Sequence, residues 1–161
     1  MRLSKKKISG KIIFIIGLPG SGKTTIARKI KSILNYNQIS NLHLDGDDIR
    51  NTLNNKKYSL KNRIYLSKFY LKLSDLFLKQ TQVVILSSVS LYKEIEEIYK
   101  KKKNIKAFLK KKKFGNIDKN KNKKRSNYKK KIKYHSPNKK VIIINNKSVL
   151  KSSREILNNF R

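Results

Sequence analysis

A glycine-rich segment near the start of the chain limits the folds that are open to this sequence. Residues 17–24 read GLPGSGKT and match the pattern G-x-x-x-x-G-K-[ST]. The preceding residues 11–17 (KIIFIIG) form an apolar run typical of a buried parallel strand, and residues 22–34 place apolar side chains at helical spacing. A strand, a tight turn and a helix in this order predict a phosphate-binding loop in an α/β domain.

The chemistry of such a loop explains its residue types. The glycines Gly17, Gly20 and Gly22 allow the backbone to curl so that consecutive N–H groups face phosphate oxygens. Lys23 is predicted to bridge the β- and γ-phosphates of a nucleotide, and the Thr24 hydroxyl to ligate Mg²⁺. The loop therefore predicts binding of ATP or GTP. Residues 116–118 and 145–147 lack the N-K-x-D pattern of guanine-specific proteins, so an ATP-dependent kinase is favoured.

Strands and helices alternate along the rest of the sequence. Further strands are predicted at residues 40–44, 83–86 and 141–144, with 105–109 as the only candidate between residues 101 and 140. Helices are predicted at residues 60–79, 91–101 and 149–160. This alternation predicts a three-layer P-loop kinase fold, with a central parallel sheet and helices on both faces. A length of 161 residues suits a single domain, residues 1–161.

Residues 101–140 differ from the rest in being rich in lysine and asparagine. The simplest interpretation is a solvated loop, and the functional one is a lid that closes over the nucleotide phosphates. The two are compatible, because a lid is mobile when its site is empty.

The composition excludes several classes of protein. The chain has no cysteine, so it can form neither disulfides nor cysteine-ligated metal sites, and with His43 and His135 as the only histidines a zinc site is not expected. No apolar stretch approaches the roughly 20 residues of a membrane span. We therefore expect a cytoplasmic protein without a membrane partner; a homodimer is compatible with the sequence.

The net charge of +33 has two interpretations. A strongly basic surface is typical of proteins that bind nucleic acid or other polyanions. The 35 lysines against 7 arginines, with many asparagines and isoleucines, also match the bias of an AT-rich coding sequence. The lysine runs contain few aromatic residues for base stacking, so we expect nucleic acid to bind only through nonspecific charge.

An acidic cluster follows the second predicted strand. Residues 44–50 (LDGDDIR) would lie beside the phosphate loop, because ligands bind at the carboxyl ends of parallel strands. Asp45 and Asp47 are then suited to Mg²⁺ and to accepting the proton of an acceptor hydroxyl, and Arg50 to holding an anionic acceptor. The alternative is an Asx-rich turn that caps a helix.

These segments together resemble the adenylylsulfate kinase family, whose members phosphorylate the ribose 3′-hydroxyl of adenosine 5′-phosphosulfate. The resemblance rests on residues 17–27 (GLPGSGKTTIA) and 44–54 (LDGDDIRNTLN), supported by 58–63 and 89–92. It is weaker in residues 124–145, where Arg125 lies in a shortened version of the family's lid.

The resemblance implies a role for each matching residue. ATP is expected on Gly17, Gly20, Ser21, Gly22, Lys23, Thr24, Thr25 and Arg125, with Mg²⁺ on Thr24 and Asp45. Asp47 is implied as the catalytic carboxylate, with Lys23 and Asp45 assisting. Arg50, Arg63 and Ser90 are implied as acceptor contacts together with Asp47; the Ser90 hydroxyl either orients the acceptor or caps the following helix.

Two departures from the family pattern leave the acceptor open. Leu66 stands where the family has an asparagine, and the shortened lid has lost the stretch with the phenylalanine that stacks on the acceptor base. Shortened relatives in surface-polysaccharide pathways suggest a cytidine diphosphoramidate kinase as one alternative. A degenerate ATP-binding or polyanion-binding protein is the other.

Overall fold

The computed structural model describes residues 5–110, 135, 141–145 and 148–160. The strands are β1 (Lys11–Ile16), β2 (Asn41–Asp45), β3 (Val83–Ser88), β4 (Ile105–Lys110) and β5 (Ile142–Ile144). The helices are α1 (Lys5–Ile8), α2 (Lys23–Tyr36), α3 (Gly46–Thr52), α4 (Leu60–Phe77), α5 (Lys93–Lys101) and α6 (Val149–Asn158).

The five strands form one parallel sheet in the order β2-β3-β1-β4-β5. The most apolar strand, β1, lies at its centre and pairs with β3 on one side and β4 on the other. This position explains its composition, because a central strand of a parallel sheet is covered on both faces. The predicted parallel sheet is confirmed.

Each face of the sheet packs against its own set of helices. Along β1, Phe14 points to the layer that contains α4 and α5, and Ile13 and Ile15 point to the layer that contains α2 and α6. This alternation follows from the two-residue period of a strand. The predicted three-layer arrangement, with helices on both faces, is therefore confirmed.

The structure changes several predicted boundaries. Residues 105–110 form β4, beside the central strand, and residues 93–101 form α5, so the lid-like segment predicted to start at 101 can begin no earlier than 111. The short helix α3 was not among the predicted elements; Asp45 is its N-cap and accepts a hydrogen bond from the Asp47 amide (2.9 Å). The interpretation of the acidic cluster as a turn that caps a helix is thus confirmed.

Within the described residues, none of the helices is both long and apolar enough to cross a membrane.

Candidate active site

A cavity of about 670 Å³ opens at the carboxyl ends of the strands, beside the loop between β1 and α2. Ten of the predicted site residues line it: Gly20, Gly22, Lys23, Thr24, Thr25, Asp45, Asp47, Arg50, Arg63 and Ser90. The side chains that sequence reasoning did not assign to the site are Pro19, Tyr58, Ser67, Tyr70, Ser87, Ser88, Val89 and Tyr92. The structure therefore brings the predicted phosphate and acceptor residues to one cavity.

Two of the predicted phosphate-loop residues, Gly17 and Ser21, are buried in the fold beside the loop. A Cβ atom on Gly17 would lie 2.6 Å from the main-chain oxygen of Lys110, so only glycine allows the loop to pass the end of β4. The Ser21 side chain is buried next to Gly17, and its hydroxyl has no hydrogen-bond partner among the described residues. Neither residue lines the cavity, and Arg125 lies outside the described residues.

The glycines at the tip of the loop adopt backbone conformations that other residues rarely reach. Gly20 and Gly22 have φ angles of 73° and 88°. Gly22 also precedes the first turn of α2, which receives no hydrogen bond from a capping side chain. The first N–H groups of α2 therefore lie at the cavity without a side-chain acceptor, as expected of an anion-binding helix start.

The Lys23 side chain folds back onto the phosphate loop. Its Nζ atom donates a hydrogen bond to the Leu18 carbonyl oxygen (2.9 Å). Burial lowers the pKa of Lys23 to about 8, although the Asp47 and Asp45 carboxylates act in the opposite direction. A phosphate group in the loop would offer this buried ammonium group a far stronger acceptor than a neutral carbonyl.

Thr24 and Asp45 meet at the floor of the cavity. Oδ2 of Asp45 accepts hydrogen bonds from the hydroxyls of Thr24 and Ser87, both at 2.7 Å. Burial alone would raise the pKa of Asp45, but these two bonds and the Asp47 amide lower it below its ordinary value. Asp45 is therefore a carboxylate at neutral pH.

These donors fit Mg²⁺, which prefers hard oxygen ligands. The described residues hold no cluster of three or more acidic, histidine or cysteine side chains that could enclose a metal by themselves. Mg²⁺ commonly binds proteins through one or two side chains and completes its shell with water and substrate phosphates. Thr24 and Asp45 would supply that protein share.

Asp47 and Asp48 are adjacent in sequence but differ in position. Both side chains are exposed at the start of α3, yet only Asp47 lines the cavity. Its negative charge also reaches Lys23, whose pKa it raises. Asp47 therefore lines the cavity within electrostatic reach of Lys23, while Asp48 is a neighbouring carboxylate outside the cavity lining.

Two arginines flank an aromatic ring on the acceptor side. The guanidinium carbons of Arg50 and Arg63 lie 5.0 Å and 5.2 Å from the centre of the Tyr58 ring. Arg50 is buried and donates to the Lys57 carbonyl oxygen (2.9 Å), and Arg63 donates to the Tyr58 carbonyl oxygen (3.1 Å). These contacts preorganise two cationic groups at one wall of the cavity.

Ser90 belongs to a row of buried hydroxyls. Its Oγ atom lies 2.6 Å from Oγ of Ser88 and donates to Oγ of Ser67 (2.8 Å), which in turn donates to the Arg63 carbonyl oxygen (2.9 Å). Helix α5 begins at Lys93 and has no side-chain cap, so Ser90 does not cap it. The row links the end of β3 to α4, the helix that carries Arg63.

His43 was not among the predicted site residues, yet it contacts a side chain of the site. Its Nε2 atom lies 2.9 Å from Oγ of Ser87, the same hydroxyl that donates to Asp45. Burial is the main cause that lowers the pKa of His43. A signal was present in the sequence, because residues two apart in a strand share a face and His43 precedes Asp45 by two.

Comparison with known proteins identifies the family. A family model described as adenylylsulphate kinase matches residues 9–133. The cytidine diphosphoramidate kinase of Campylobacter jejuni subsp. jejuni serotype O:2 is 29% identical over 90 residues, 56% of this chain and 53% of that protein. The adenylyl-sulfate kinase of Buchnera aphidicola subsp. Acyrthosiphon pisum is 31% identical over 112 residues, 67% of this chain and 54% of that protein. The matches thus span about half the length of both curated relatives.

Solved structures share the fold at low sequence identity. An APS kinase of Mycobacterium tuberculosis in complex with AMPPNP and APS superposes with a TM-score of 0.78 at 19% identity, covering 93% of this chain and 96% of that chain. A gluconokinase of Sinorhizobium meliloti 1021 superposes with a TM-score of 0.60 at 11% identity, covering 94% and 92% of the two chains. Fold similarity therefore extends across kinases with different names. The family model is more specific and matches well over half of the sequence, and on this basis the chain belongs to the adenylylsulphate kinase family.

Proposed function

We propose that this chain transfers the γ-phosphate of ATP to a hydroxyl group of a small anionic nucleotide, with the ribose 3′-hydroxyl of adenosine 5′-phosphosulfate as the first candidate. The observation that carries the proposal is that one cavity contains the phosphate loop, the carboxylates Asp45 and Asp47, and the arginines Arg50 and Arg63. Phosphoryl transfer needs these groups close together, because it depends on positioning and on stabilising phosphate charge.

In this proposal the phosphate loop and Lys23 bind the ATP phosphates. The Asp47 carboxylate accepts the proton of the acceptor hydroxyl, and the oxygen of that hydroxyl bonds to the γ-phosphorus. The bond from the γ-phosphorus to the oxygen bridging to the β-phosphate breaks, and ADP leaves. Asp47 suits this role because its side chain is exposed, lines the cavity and lies beside the phosphate loop.

Mg²⁺, when bound through Thr24 and Asp45, would neutralise charge on the ATP phosphates. The protein contributes by fixing the positions of the Thr24 hydroxyl and the Asp45 carboxylate. The Thr24 hydroxyl donates a hydrogen bond to Oδ2 of Asp45 (2.7 Å), so the lone pairs of the Thr24 oxygen stay available to a metal ion.

The acceptor wall supports an anionic partner. The guanidinium groups of Arg50 and Arg63 both lie against the ring of Tyr58, a residue that is 44% exposed, and all three residues line the cavity. Guanidinium groups favour sulfate and phosphate oxygens, and an exposed aromatic ring favours a nucleotide base.

Cytidine diphosphoramidate is the second candidate acceptor, because one residue departs from the pattern expected for the first. Leu66, which replaces the asparagine of the family pattern, is 1% exposed and packs in the core, not in the cavity. A polar contact to the acceptor at that position is therefore absent, and Ser67 is the neighbouring side chain that reaches the cavity. A curated relative bears the name of this activity.

An acceptor comparison tests the proposal. Purified protein with Mg²⁺-ATP is given adenosine 5′-phosphosulfate or cytidine diphosphoramidate, ADP release is followed by a coupled assay, and the phosphorylated product is identified by mass spectrometry. The Asp47→Asn variant serves as the chemical blank, since its fold should be retained.

Each result has a defined meaning. Turnover of the first acceptor supports an adenylylsulfate kinase, and turnover of the second alone moves the protein to the second candidate. ADP release that is equal with and without either acceptor, and equal in Asp47→Asn, would contradict both. It would favour the degenerate ATP-binding or polyanion-binding alternative.

A further inference from the structure

A chain of side-chain hydrogen bonds runs from strand β2 through β3 to the floor of the cavity. Nε2 of His43 lies 2.9 Å from Oγ of Ser87, Oγ of Ser87 lies 2.7 Å from Oδ2 of Asp45, and Oγ1 of Thr24 lies 2.7 Å from the same Oδ2. The parallel register sets Asp45 directly beside Ser87, which explains why the chain can form. Its members come from three different elements.

The direction of these hydrogen bonds follows from counting protons. The Asp45 carboxylate can only accept, so both hydroxyls must donate to it. Ser87 has one proton, which it gives to Asp45, so its contact with His43 must be a bond that it accepts. Nε2 of His43 therefore carries a hydrogen and donates, which defines the imidazole tautomer.

Three hydrogen bonds hold the Asp45 carboxylate, and about one of its four acceptor positions is left for a ligand in the cavity. Oδ2 accepts from Thr24 and Ser87, and Oδ1 accepts from the Asp47 amide at 2.9 Å. A carboxylate held by three donors cannot rotate without breaking a bond, and because Asp45 is mostly buried each lost bond is costly. The Thr24 hydroxyl is consequently held in one orientation.

We propose that His43 and Ser87 are positioning residues that hold Asp45, and through it the Thr24 hydroxyl, in the arrangement that a magnesium–nucleotide complex requires. The proposal rests on the proposed function, because Thr24 and Asp45 are the oxygen donors assigned there to Mg²⁺. Groups behind a metal ligand commonly tune the site in this way, and their loss typically lowers metal affinity or activity about 10- to 100-fold.

The experiment compares nucleotide binding with and without metal, so it needs no acceptor. Titration calorimetry gives the Kd of ATP in excess Mg²⁺ and in EDTA for the wild type and for Ser87→Ala, His43→Leu and His43→Gln. The glutamine side chain can place an N–H near the former Nε2, so it is the conservative replacement. Ser74→Ala is the matched control, since Ser74 is a buried serine on α4 that bonds only to the Tyr70 carbonyl oxygen among the contacts described.

The proposal predicts a selective effect. Ser87→Ala and His43→Leu should each weaken ATP binding about tenfold in Mg²⁺ and leave it unchanged in EDTA. The double variant Ser87→Ala/His43→Leu should bind ATP no more weakly than either single variant, because both substitutions break the same chain of hydrogen bonds. His43→Gln should recover most of the wild-type affinity, and Ser74→Ala should behave as wild type under both conditions.

Three results would overturn the proposal. These are equal weakening in Mg²⁺ and in EDTA, additive effects in the double variant, or His43→Gln behaving like His43→Leu; any of them would indicate a general structural role. Thermal denaturation of each variant identifies any loss of fold. If His43→Leu fails to fold, Ser87→Ala still tests the proposal, because it removes only one oxygen atom. A wild-type protein that binds no ATP would instead contradict the proposed function itself, so the two failures are distinguishable.

Discussion

Lys23 lies where two electrostatic influences oppose each other. Burial lowers its pKa to about 8, and the carboxylates of Asp47 and Asp45 limit that shift. The charged ammonium group binds phosphate, and bound phosphate favours the charged form, so the pKa of Lys23 must rise when ATP binds. Above pH 8 the free protein has lost this proton, and binding must take one up.

We therefore expect the affinity for ATP to be constant just below pH 8 and to fall by up to about tenfold per pH unit above it. The measurement is the Kd of ATP between pH 7.5 and 9.5, a range in which ATP keeps its full charge. Lys23→Arg is the control, because a guanidinium stays charged throughout. An equal pH slope in the arginine variant would assign the effect to another group.

The two adjacent aspartates at the start of α3 provide a matched pair for testing the catalytic base. Asp47→Asn should lower kcat about 100- to 10,000-fold and leave ATP binding close to wild type, because it removes a proton acceptor and no phosphate contact. Asp48→Asn changes the same charge one residue away, outside the cavity, and should keep kcat within about twofold. Steady-state kinetics with the acceptor that proves active, together with calorimetry for ATP, measure both quantities. Normal turnover by Asp47→Asn would assign the base to another group.

At the scale of elements, the phosphate loop depends on how closely it passes the end of β4. Gly17→Ala would put a methyl group 2.6 Å from the Lys110 main-chain oxygen, a contact that only a shift of backbone can relieve. We expect a loss of about 1–3 kcal/mol of stability together with a clear weakening of ATP binding, since the loop itself must move. Thermal denaturation and calorimetry measure the two effects.

Gly10→Ala is the control for this substitution. Gly10 has a φ of 73°, and a methyl group there would meet nothing within 4 Å, so the cost is backbone strain of about 1 kcal/mol without a clash. It precedes β1, at the opposite end of that strand from the loop. Equal loss of ATP affinity in both variants would show that general destabilisation, not displacement of the loop, is responsible.

The elements also show which parts of the fold local sequence could reveal. Strand β1 and helix α2 were predicted within about two residues, because an apolar run and a helical period are properties of neighbouring residues. Helix α3 was missed, since its seven residues carry too short a pattern and its start depends on the Asp45 cap. The sequence predicts residues 105–109 only as a candidate strand, because the surrounding lysines obscure a short apolar run; its pairing with β1 and β5 identifies β4.

At the scale of the whole molecule, the net charge of +33 has a kinetic consequence. Besides the cavity of the candidate active site, the described residues form a second groove of about 420 Å³, whose lining includes Lys7, Lys11, Lys100, Lys102, Lys103 and Lys106. Such a surface should attract any anion and accelerate its encounter with the protein, with an effect that salt screens. It does not by itself select a partner.

We expect the association rate constant of a fluorescent ATP analogue to fall about tenfold or more as KCl is raised from about 10 mM to 500 mM, with a much smaller change in the dissociation rate constant. Stopped-flow fluorescence measures both constants. Nucleic acid should compete at low salt and lose that effect at high salt, as nonspecific charge contacts predict. Competition that persists at high salt would indicate a specific nucleic-acid site. A cytoplasmic location and a homodimer stay predictions.

The sequence alone determined the phosphate loop, the acidic cluster after β2 and the parallel sheet, because each depends on residues that are close in the chain. It also predicted Arg50, from its place in that acidic cluster, and the resemblance to the family implied Arg63. The tertiary structure decided which side chains meet. Thr24 is 21 residues from Asp45, and Ser87 is 42 residues from it and 44 from His43. Contacts over such distances depend on strand order and register, and a buried carboxylate then selects the hydroxyls and the imidazole that satisfy it.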